Sequence, residues 1–380
     1  MPLRNAKVIA SGLSLLCLPL RATPTVRVTV QRVPNGGIQP EVARDDKGVV
    51  HLLYFAGEPG HGDLFYARWA DGDATFCTPL RVNSEPGTAV AIGSIRGGRI
   101  AVGRAGLVHV AWNGPGPQAP MLYARMKADG SGFEPQRNLL GRTSTLDGGG
   151  AVAADREGNV YVAWHARPEG APADEASRTV WVARSADDGR TFAAEQRAWD
   201  TPTGACGCCG LALLADRLGT VYALYRSATD LVNRDVYVLA SRDQGHTFRG
   251  SLLHGWRVSS CPLTSMAIAD GRTAVVGAWE TDGNVSFAAL DAAGKPASAS
   301  MAPPGEPSRR KHPRLAQSDD GDTLLVWTEG TAWARGGSLV WRLFGADGRP
   351  LSVEGSRPGV PVWSFGAVVT RPDGGFTVFY

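Results

Sequence analysis

Residues 178–192 read Arg-Thr-Val-Trp-Val-Ala-Arg-Ser-Ala-Asp-Asp-Gly-Arg-Thr-Phe, and residues 234–248 repeat the pattern as Arg-Asp-Val-Tyr-Val-Leu-Ala-Ser-Arg-Asp-Gln-Gly-His-Thr-Phe. The first half of each stretch alternates apolar and polar residues, which is typical of a half-buried β-strand. The second half predicts a hairpin turn, because an aspartate side chain accepts hydrogen bonds from turn N–H groups and glycine tolerates positive φ. We expect the closing phenylalanine to enter the core as the next strand begins.

Related units recur along the chain. Residues 64–76 and 121–133 align on the strand and turn without gaps, and 285–295 and 339–349 are fainter copies. The aromatic residues that close the four clear copies are 57, 59 and 56 residues apart: Phe76, Phe133, Phe192 and Phe248. A second unit, two strands around an Asp- or Gly-containing turn, occurs seven times: at 40–54, 98–112, 150–164, 210–225, 265–279, 313–327 and 366–380.

A pair of such units makes about four strands in roughly 50–60 residues, which is the period of a β-propeller blade. We therefore predict an all-β chain in which residues 23–380 form a single propeller of four-stranded blades. Seven blades are favoured and six are the alternative. The last unit ends at Tyr380, so the alternating segment 25–33 is expected to complete its blade. Pairing of the N- and C-terminal strands would close the ring and cover the sheet edges.

The N-terminus predicts export. Arg4 and Lys7 precede an apolar run at 8–20, and a cleavage site follows Ala22, so residues 1–22 are expected to be a signal peptide. The run is too short for a transmembrane helix, which needs about 20 residues. A lipoprotein anchor at Cys17 is less favoured, because the preceding Leu16 is larger than such a site accepts. We expect a periplasmic or extracellular monomer without a transmembrane segment.

The turn Ser-x-Asp-x-Gly-x-Thr-Phe resembles the Asp-box, or BNR repeat, of the sialidase family. The residues that carry the resemblance are Ser185, Asp187, Gly189, Thr191 and Phe192, and Ser241, Asp243, Gly245, Thr247 and Phe248. The resemblance implies a sialidase-like propeller with this turn between the third and fourth strands, on the face away from the active site. It implies a fold and not a reaction. An Arg-Ile-Pro segment near the first blade and a Tyr–Glu pair, both parts of the family pattern, are missing, and the family typically has six blades.

In a propeller, the loops before each innermost strand and after the second strand meet around one end of the channel. The residues predicted to bind a ligand there are Arg96, Asp147, Arg226, Arg310 and Trp363. The sialidase resemblance implies that three arginines clamp a carboxylate, as guanidinium forks do. The alternative for each arginine is an ordinary surface role. A net charge of +3 without a long basic run makes nucleic acid an unexpected partner.

Two carboxylates occupy equivalent places at this rim. Glu280 and Glu329 each follow a tryptophan at the end of a second strand. A suitably separated pair could serve as acid and base in glycoside hydrolysis. The alternative is that both are solvated rim residues.

Cysteines supply the sharpest local signal. Cys206, Cys208 and Cys209 open the fourth inner unit and Cys261 opens the fifth, so a propeller would bring all four together. One interpretation is disulfides that tie neighbouring blades. The other is a thiolate site for copper or zinc, with His165 or His312 as further ligands.

The sequence therefore favours an exported propeller that binds a small molecule, a glycan or a metal, or acts as a scaffold, through a cysteine-bearing rim. One alternative is a glycoside hydrolase, a divergent exo-sialidase-like enzyme. Another is a periplasmic metal-handling protein. Whether the chain is an enzyme stays open at this point, because many functions share one fold.

Overall fold

The computed structural model describes residues 26–69, 75–117, 119–144, 146, 148–307 and 309–380. The predicted signal peptide at 1–22, with Cys17, and the predicted ligand-binding residue Asp147 lie outside these residues. The described part contains 27 strands and two short 3-10 helices, Pro34–Gly36 and Arg104–Gly106. Within it, we find no helix with the length and apolar character that crossing a membrane requires.

The strands form seven sheets arranged as blades, each built from the innermost strand outward. The first strand, β1 (Val28–Gln31), belongs to the last blade. Blade 1 consists of β2 (Ile38–Arg44), β3 (Val50–Ala56), β4 (Asp63–Trp69) and β5 (Leu80–Arg81). Blade 2 consists of β6 (Arg99–Val102), β7 (Val108–Asn113), β8 (Met121–Arg125) and β9 (Arg137–Asn138). Blade 3 consists of the short β10 (Thr143–Ser144), β11 (Gly150–Ala154), β12 (Val160–Pro168), β13 (Thr179–Ser185) and β14 (Gln196–Arg197).

Blades 4, 5 and 6 follow the same antiparallel order, whereas blade 7 combines an antiparallel and a parallel strand pair. Blade 4 consists of β15 (Ala212–Ala215), β16 (Val221–Arg226), β17 (Val236–Ser241) and β18 (Arg249–His254). Blade 5 consists of β19 (Met266–Asp270), β20 (Val275–Thr281) and β21 (Asn284–Leu290). Blade 6 consists of β22 (Lys311–Gln317), β23 (Thr323–Glu329), β24 (Gly337–Phe344) and β25 (Pro350–Val360). Blade 7 consists of β26 (Ala367–Thr370), β27 (Phe376–Phe379) and β1.

Blade 7 closes the ring. Strand β1 pairs in parallel with β27, so that Val28 lies opposite Phe376 and Gln31 opposite Phe379. The prediction of a seven-bladed, all-β propeller closed by its N- and C-terminal strands is confirmed. Blades 5 and 7 have three regular strands in the described chain, and blade 5 adds only isolated bridges at its outer edge, such as Phe287 to Met301.

The hydrophobic core is divided among the blade interfaces. One cluster of buried side chains lies at each of the seven contacts between neighbouring blades, including that between blades 7 and 1. At that last contact, Leu52 and Tyr54 of blade 1 pack with Val369 and Phe379 of blade 7. Because apolar residues lie on both faces of each sheet, each blade buries its two faces against its two neighbours.

The repeated turns have the hydrogen bonds that their composition predicts. Asp187 accepts bonds from the Thr191 N–H at 2.9 Å and from the Ser185 and Thr191 hydroxyls at 2.7 Å each. The turn also contacts the β11–β12 turn, where the Asp188 N–H donates to the Gly158 carbonyl at 2.9 Å. It therefore lies at the end of the blade opposite the start of β11. Phe248 is buried, whereas Phe192 is half-buried against Tyr123.

Candidate functional site

The residues that open blades 4 and 5 bring four cysteines together where the innermost strands begin. Cys206 Sγ lies 3.1 Å from Cys208 Sγ and 3.2 Å from Cys209 Sγ. The sulfur atoms of these three residues all lie within 4.8 Å of one another. Cys208 forms a disulfide with Cys261. The disulfide interpretation therefore holds for one pair, while Cys206 and Cys209 are buried thiols. We refer to these four residues as the cysteine cluster.

Backbone hydrogen bonds hold the cysteine cluster across two blades. The Cys206 N–H donates to the Arg226 carbonyl of β16 at 2.9 Å, and the Cys209 N–H closes a turn on the Cys206 carbonyl at 3.2 Å. The Gly210 N–H donates to the Thr264 carbonyl, just before β19, at 2.8 Å. These bonds fix the backbone of residues 206–210 against Arg226 and Thr264. The sulfurs on this segment therefore have little freedom to move apart.

The surroundings of Cys209 favour its thiolate. Burial opposes ionisation, but the hydrogen bond from Cys206, the Arg226 guanidinium and the Thr264 hydroxyl together lower the pKa of the Cys209 thiol to about 6. The same hydrogen bond, with burial, raises the pKa of the Cys206 thiol. The pair therefore shares one proton near neutral pH, as interacting titratable groups do.

Arg226 is fully buried behind the cysteine cluster. Its Nε donates to Thr264 Oγ1 at 2.8 Å, and its other nitrogens donate to the carbonyls of Arg234 and Glu280. The guanidinium also stacks over the Trp256 ring at 5.1 Å. Arg226 therefore makes its contacts within the protein interior, where its charge stabilises the Cys209 thiolate.

Glu280 lies on the same buried side. Its Oε1 accepts a hydrogen bond from Lys311 Nζ at 2.9 Å, and its Oε2 has no partner. Burial raises the pKa of the Glu280 carboxyl to about 7, although Lys311 and Arg226 act in the opposite direction. Glu329 is different, because its Oε1 accepts from Trp327 Nε1 at 2.9 Å and its carboxylate pairs with Arg310.

The two histidines have different surroundings. His312 Nδ1 lies 2.8 Å from Thr328 Oγ1 and its Nε2 lies 2.7 Å from Ser94 Oγ, so both nitrogens are engaged. His165 is fully buried, and neither of its nitrogens has a hydrogen-bond partner. Burial lowers the pKa of each histidine to about 3, which keeps both neutral. Within the described chain, neither joins the three cysteines whose sulfurs lie within 4.8 Å.

His165 nevertheless faces the cysteine loop. A Cβ atom on Gly148 would lie 3.1 Å from His165 Nδ1 and 2.5 Å from the Gly207 carbonyl oxygen. A side chain at position 148 would overlap the Gly207 carbonyl and crowd the imidazole, so His165 lies beside the cysteine loop. His165 is therefore the one histidine with free nitrogens beside the cluster.

A cavity of about 130 Å³ opens next to Cys208. Two tryptophans, Trp333 and Trp363, meet edge to face in its wall at 6.0 Å between ring centroids. Its cationic lining residues are Arg96, Lys311 and Arg335. We call this space the tryptophan cavity.

The predicted ligand-binding residues are only partly brought together. Arg96 and Trp363 line the tryptophan cavity, whereas Arg226 and Arg310 do not. The Arg310 guanidinium donates to Asn284 Oδ1 and to the carbonyls of Pro303 and Pro304 at 2.7–3.0 Å. The three arginines therefore do not converge as a clamp, because two of them stabilise the protein interior.

Apart from Arg96, sequence reasoning missed the loop at residues 90–98, which we call the rim loop. Its Ser94 reaches His312 of blade 6, and the side chain of its Ile95 lies near Gly210 at the start of blade 4. A Cβ atom on Gly149 of blade 3 would lie 1.7 Å from the Ile95 carbonyl oxygen. The rim loop thus crosses the channel mouth between the blades. No local pattern in the sequence signals these contacts, because their partners are distant along the chain.

Comparisons with known proteins support the fold alone. No family model matches the chain, and no curated protein matches it. A solved α-L-arabinanase from Penicillium chrysogenum in complex with arabinobiose has a TM-score of 0.55 and 13% identity, covering 86% of this chain and 99% of that one.

Two further solved structures are similar. A protein of unknown function from Dyadobacter fermentans has a TM-score of 0.52 and 15% identity, covering 88% of this chain and 99% of that one. A mutant of the α-L-arabinofuranosidase arb93a from Fusarium graminearum with an iminosugar inhibitor has a TM-score of 0.52 and 12% identity, covering 77% and 88%. At identities this low, the chain shares with these proteins the architecture of a β-propeller.

Proposed function

We propose that the protein is an extracytoplasmic propeller that binds a soft metal cation, Cu(I) or Zn(II), at the cysteine cluster. The single observation that carries the proposal is the approach of three cysteine sulfurs to within 4.8 Å of one another at a buried rim. A fourth sulfur, that of Cys261, is bonded to one of them. The disulfide also supports an extracytoplasmic location, because such bonds persist in oxidising compartments.

The chemistry of the donors suits soft metals. Thiolates select Cu(I) and Zn(II) over harder cations, and a closed zinc site takes four ligands. The low pKa of the Cys209 thiol supplies one thiolate near neutral pH. For Cys208 and Cys261 to bind metal, a two-electron reductant such as a dithiol or a phosphine must first reduce their disulfide. Cys206 and Cys209 would then be joined by two more sulfurs in the same volume.

The two histidines are not equally suited to bind the metal. His165 has two free nitrogens and faces the cysteine loop, so it is the candidate for a nitrogen ligand. Both nitrogens of His312 are engaged by hydroxyl groups, and metal binding there would cost those hydrogen bonds. We therefore expect loss of His165 to weaken metal binding and loss of His312 to affect mainly the rim loop.

Competition titration of the purified protein tests the proposal. After reduction by a phosphine, Cu(I) and Zn(II) are titrated against chromophoric chelators. We expect one metal per chain, with an affinity that falls by at least about 100-fold in Cys209→Ser, since even second-shell changes cost roughly 10–100-fold. Cys77→Ser is the matched control, because Cys77 is a free cysteine outside the cluster. Equal affinity in Cys209→Ser and Cys77→Ser would reject the metal site.

A second candidate is a glycoside hydrolase of divergent, exo-sialidase-like type. The observation that favours it is the burial of Glu280, which raises the pKa of its carboxyl to about 7, a value that suits a general acid. Two of the proteins that share the fold are, by description, an arabinanase and an arabinofuranosidase. Among the described residues, however, neither Glu280 nor Glu329 lines the tryptophan cavity.

Turnover of fluorogenic glycosides tests the second candidate. A panel of sialosides and arabinosides should include a substrate whose turnover falls by about 10²–10⁴-fold in Glu280→Gln, the usual contribution of a general acid. Glu329→Gln gives the corresponding test of the second carboxylate. Absence of turnover across the panel would remove this candidate and leave the metal proposal unaffected.

A further inference from the structure

The sulfurs of the cysteine cluster form a continuous row from the protein interior to solvent. Cys209 Sγ contacts Cys206 Sγ at 3.2 Å, and Cys206 Sγ contacts Cys208 Sγ at 3.1 Å. Cys208 is half-buried and bonded to Cys261, which is exposed. A free thiol therefore touches one sulfur of a disulfide and has a second thiol behind it. This is the arrangement through which thiol–disulfide exchange proceeds.

We propose that the cluster carries out an intramolecular thiol–disulfide exchange that moves the disulfide from the outer pair, Cys208 and Cys261, to the buried pair, Cys206 and Cys209. This inference needs no metal and goes beyond the proposed function. It assigns thiol–disulfide chemistry to the cysteine cluster, which extends from the exposed Cys261 to the buried Cys209.

The first step joins Cys206 to Cys208. Cys206 passes its proton to Cys209 Sγ, to which it already donates a hydrogen bond, and attacks Cys208 Sγ as a thiolate, which is the nucleophilic form of cysteine. The Cys206–Cys208 bond forms and the Cys208–Cys261 bond breaks. Cys261 leaves with the electron pair and takes a proton from solvent, which its exposure allows.

The second step resolves this mixed disulfide. Cys209 releases the proton to solvent and attacks Cys206 Sγ, with which it is already in contact. The Cys206–Cys209 bond forms, and Cys208 leaves as a thiolate and is protonated. One disulfide is present before and after, so the exchange consumes no oxidant. The exposed thiols can then react with an external disulfide of low molecular weight, which oxidises them and is itself reduced to two thiols.

Tryptic peptides report the two forms directly. Cys206, Cys208 and Cys209 share the peptide 198–217, and Cys261 lies in the peptide 258–272. The Cys208–Cys261 disulfide links these peptides, whereas either exchanged form separates them and leaves Cys261 open to alkylation. Oxidised protein carrying Cys77→Ser is incubated at pH 8 with N-ethylmaleimide and EDTA, quenched in acid, digested and analysed by mass spectrometry.

We expect Cys261 to be alkylated progressively in the Cys77→Ser protein, and at least about tenfold more slowly when Cys206→Ser is added, since no attacking thiol then touches the disulfide. Cys209→Ser should still release Cys261, with a Cys206–Cys208 disulfide inside 198–217. A permanent link between the peptides in the Cys77→Ser protein would overturn the proposal. So would equal alkylation of Cys261 with and without Cys206.

A second measurement does not depend on the folding of these variants. Alkylation of Cys261 should be independent of protein concentration in the Cys77→Ser protein, because the exchange is intramolecular. A rate that rises in proportion to concentration would show exchange between molecules and overturn the proposal. Because EDTA is present throughout, the result is separate from that of the metal titration.

Discussion

Three charged side chains lie beside the cysteine cluster: Arg226 and Glu280 are buried and Lys311 is half-buried, and this burial decides what each of them does. The Arg226 guanidinium is enclosed by carbonyls and Thr264, so it acts on Cys209 rather than on a ligand. Lys311 bridges Glu280 to the wall of the tryptophan cavity. Buried charges are costly unless they are paired, and here each one is paired within the protein.

Glu280 makes folding stability depend on pH. Its pKa is raised from 4.5 to about 7 by burial, so the folded state binds a proton that the unfolded state has released. The wild type should therefore lose stability relative to Glu280→Gln as the pH rises from about 5 to 8, by up to about 3 kcal/mol.

Urea unfolding at several pH values measures this difference. Below about pH 4 the Glu280 carboxyl becomes protonated in both states, so the difference between wild type and variant should there approach a constant value. That plateau is the internal control. A difference that does not change between pH 5 and pH 8 would contradict the assignment of Glu280 as a buried group with a raised pKa.

At the scale of the single element, the repeated turn is stabilised by one carboxylate. The burial of Asp187 opposes its ionisation, but bonds from Thr191 and Ser185 lower the pKa of this carboxyl to about 2. We expect Asp187→Ala to reduce the free energy of unfolding by about 1 kcal/mol. The loss is small because the turn is partly open to solvent.

The pH dependence has a definite sign. The folded pKa lies below the ordinary value of 3.8, so the stabilisation is present above about pH 4 and is lost as the pH falls towards 2. Asp129→Ala is the control, because Asp129 accepts hydrogen bonds from Ser131 in a copy of the turn that has Met126 and Gly132 at the positions of Ser185 and Thr191. An equal loss in both variants would show that the Ser and Thr hydroxyls contribute nothing.

The rim loop depends on close packing with blade 3. A Cβ atom at Gly149 would overlap the Ile95 carbonyl, so Gly149→Ala should displace the loop and cost about 1–3 kcal/mol, as overpacking does. Hydrogen exchange of residues 90–98 should accelerate, and tryptophan fluorescence should report a changed cavity. Gly132→Ala is the control, because nothing lies within 4 Å of its added Cβ. If hydrogen exchange of residues 90–98 were unchanged in Gly149→Ala, the rim loop would not pack against Gly149.

At the scale of the whole molecule, ring closure depends on one parallel strand pair. Removal of residues 26–33 would delete β1 and expose the edge of β27. We expect a lower Tm, less cooperative unfolding and aggregation, because an unpaired strand edge recruits other chains. A synthetic peptide of residues 25–33 should partly restore the Tm, and a scrambled peptide should not. A truncated protein as stable as the full chain would show that closure needs other contacts.

The fold could be predicted because its signals are local. Strand alternation, the aspartate and glycine of each turn, and the spacing of the closing aromatic residues all lie within a single blade, and their repetition gives the blade number. The same logic placed Cys206 and Cys261 at the starts of neighbouring strands. Even the pairing of β1 with the last blade could be expected, because that blade lacked outer strands, whereas its parallel direction appears only in the structure.

Tertiary structure alone decided the roles of the site residues. Which cysteines are paired, the burial of Arg226, and the contact of His312 with Ser94, 218 residues away, depend on packing between blades. A sequence pattern reports the neighbours of a residue within its own strand and turn. The partners across a blade interface, and the solvent that they exclude, appear only when the ring has closed.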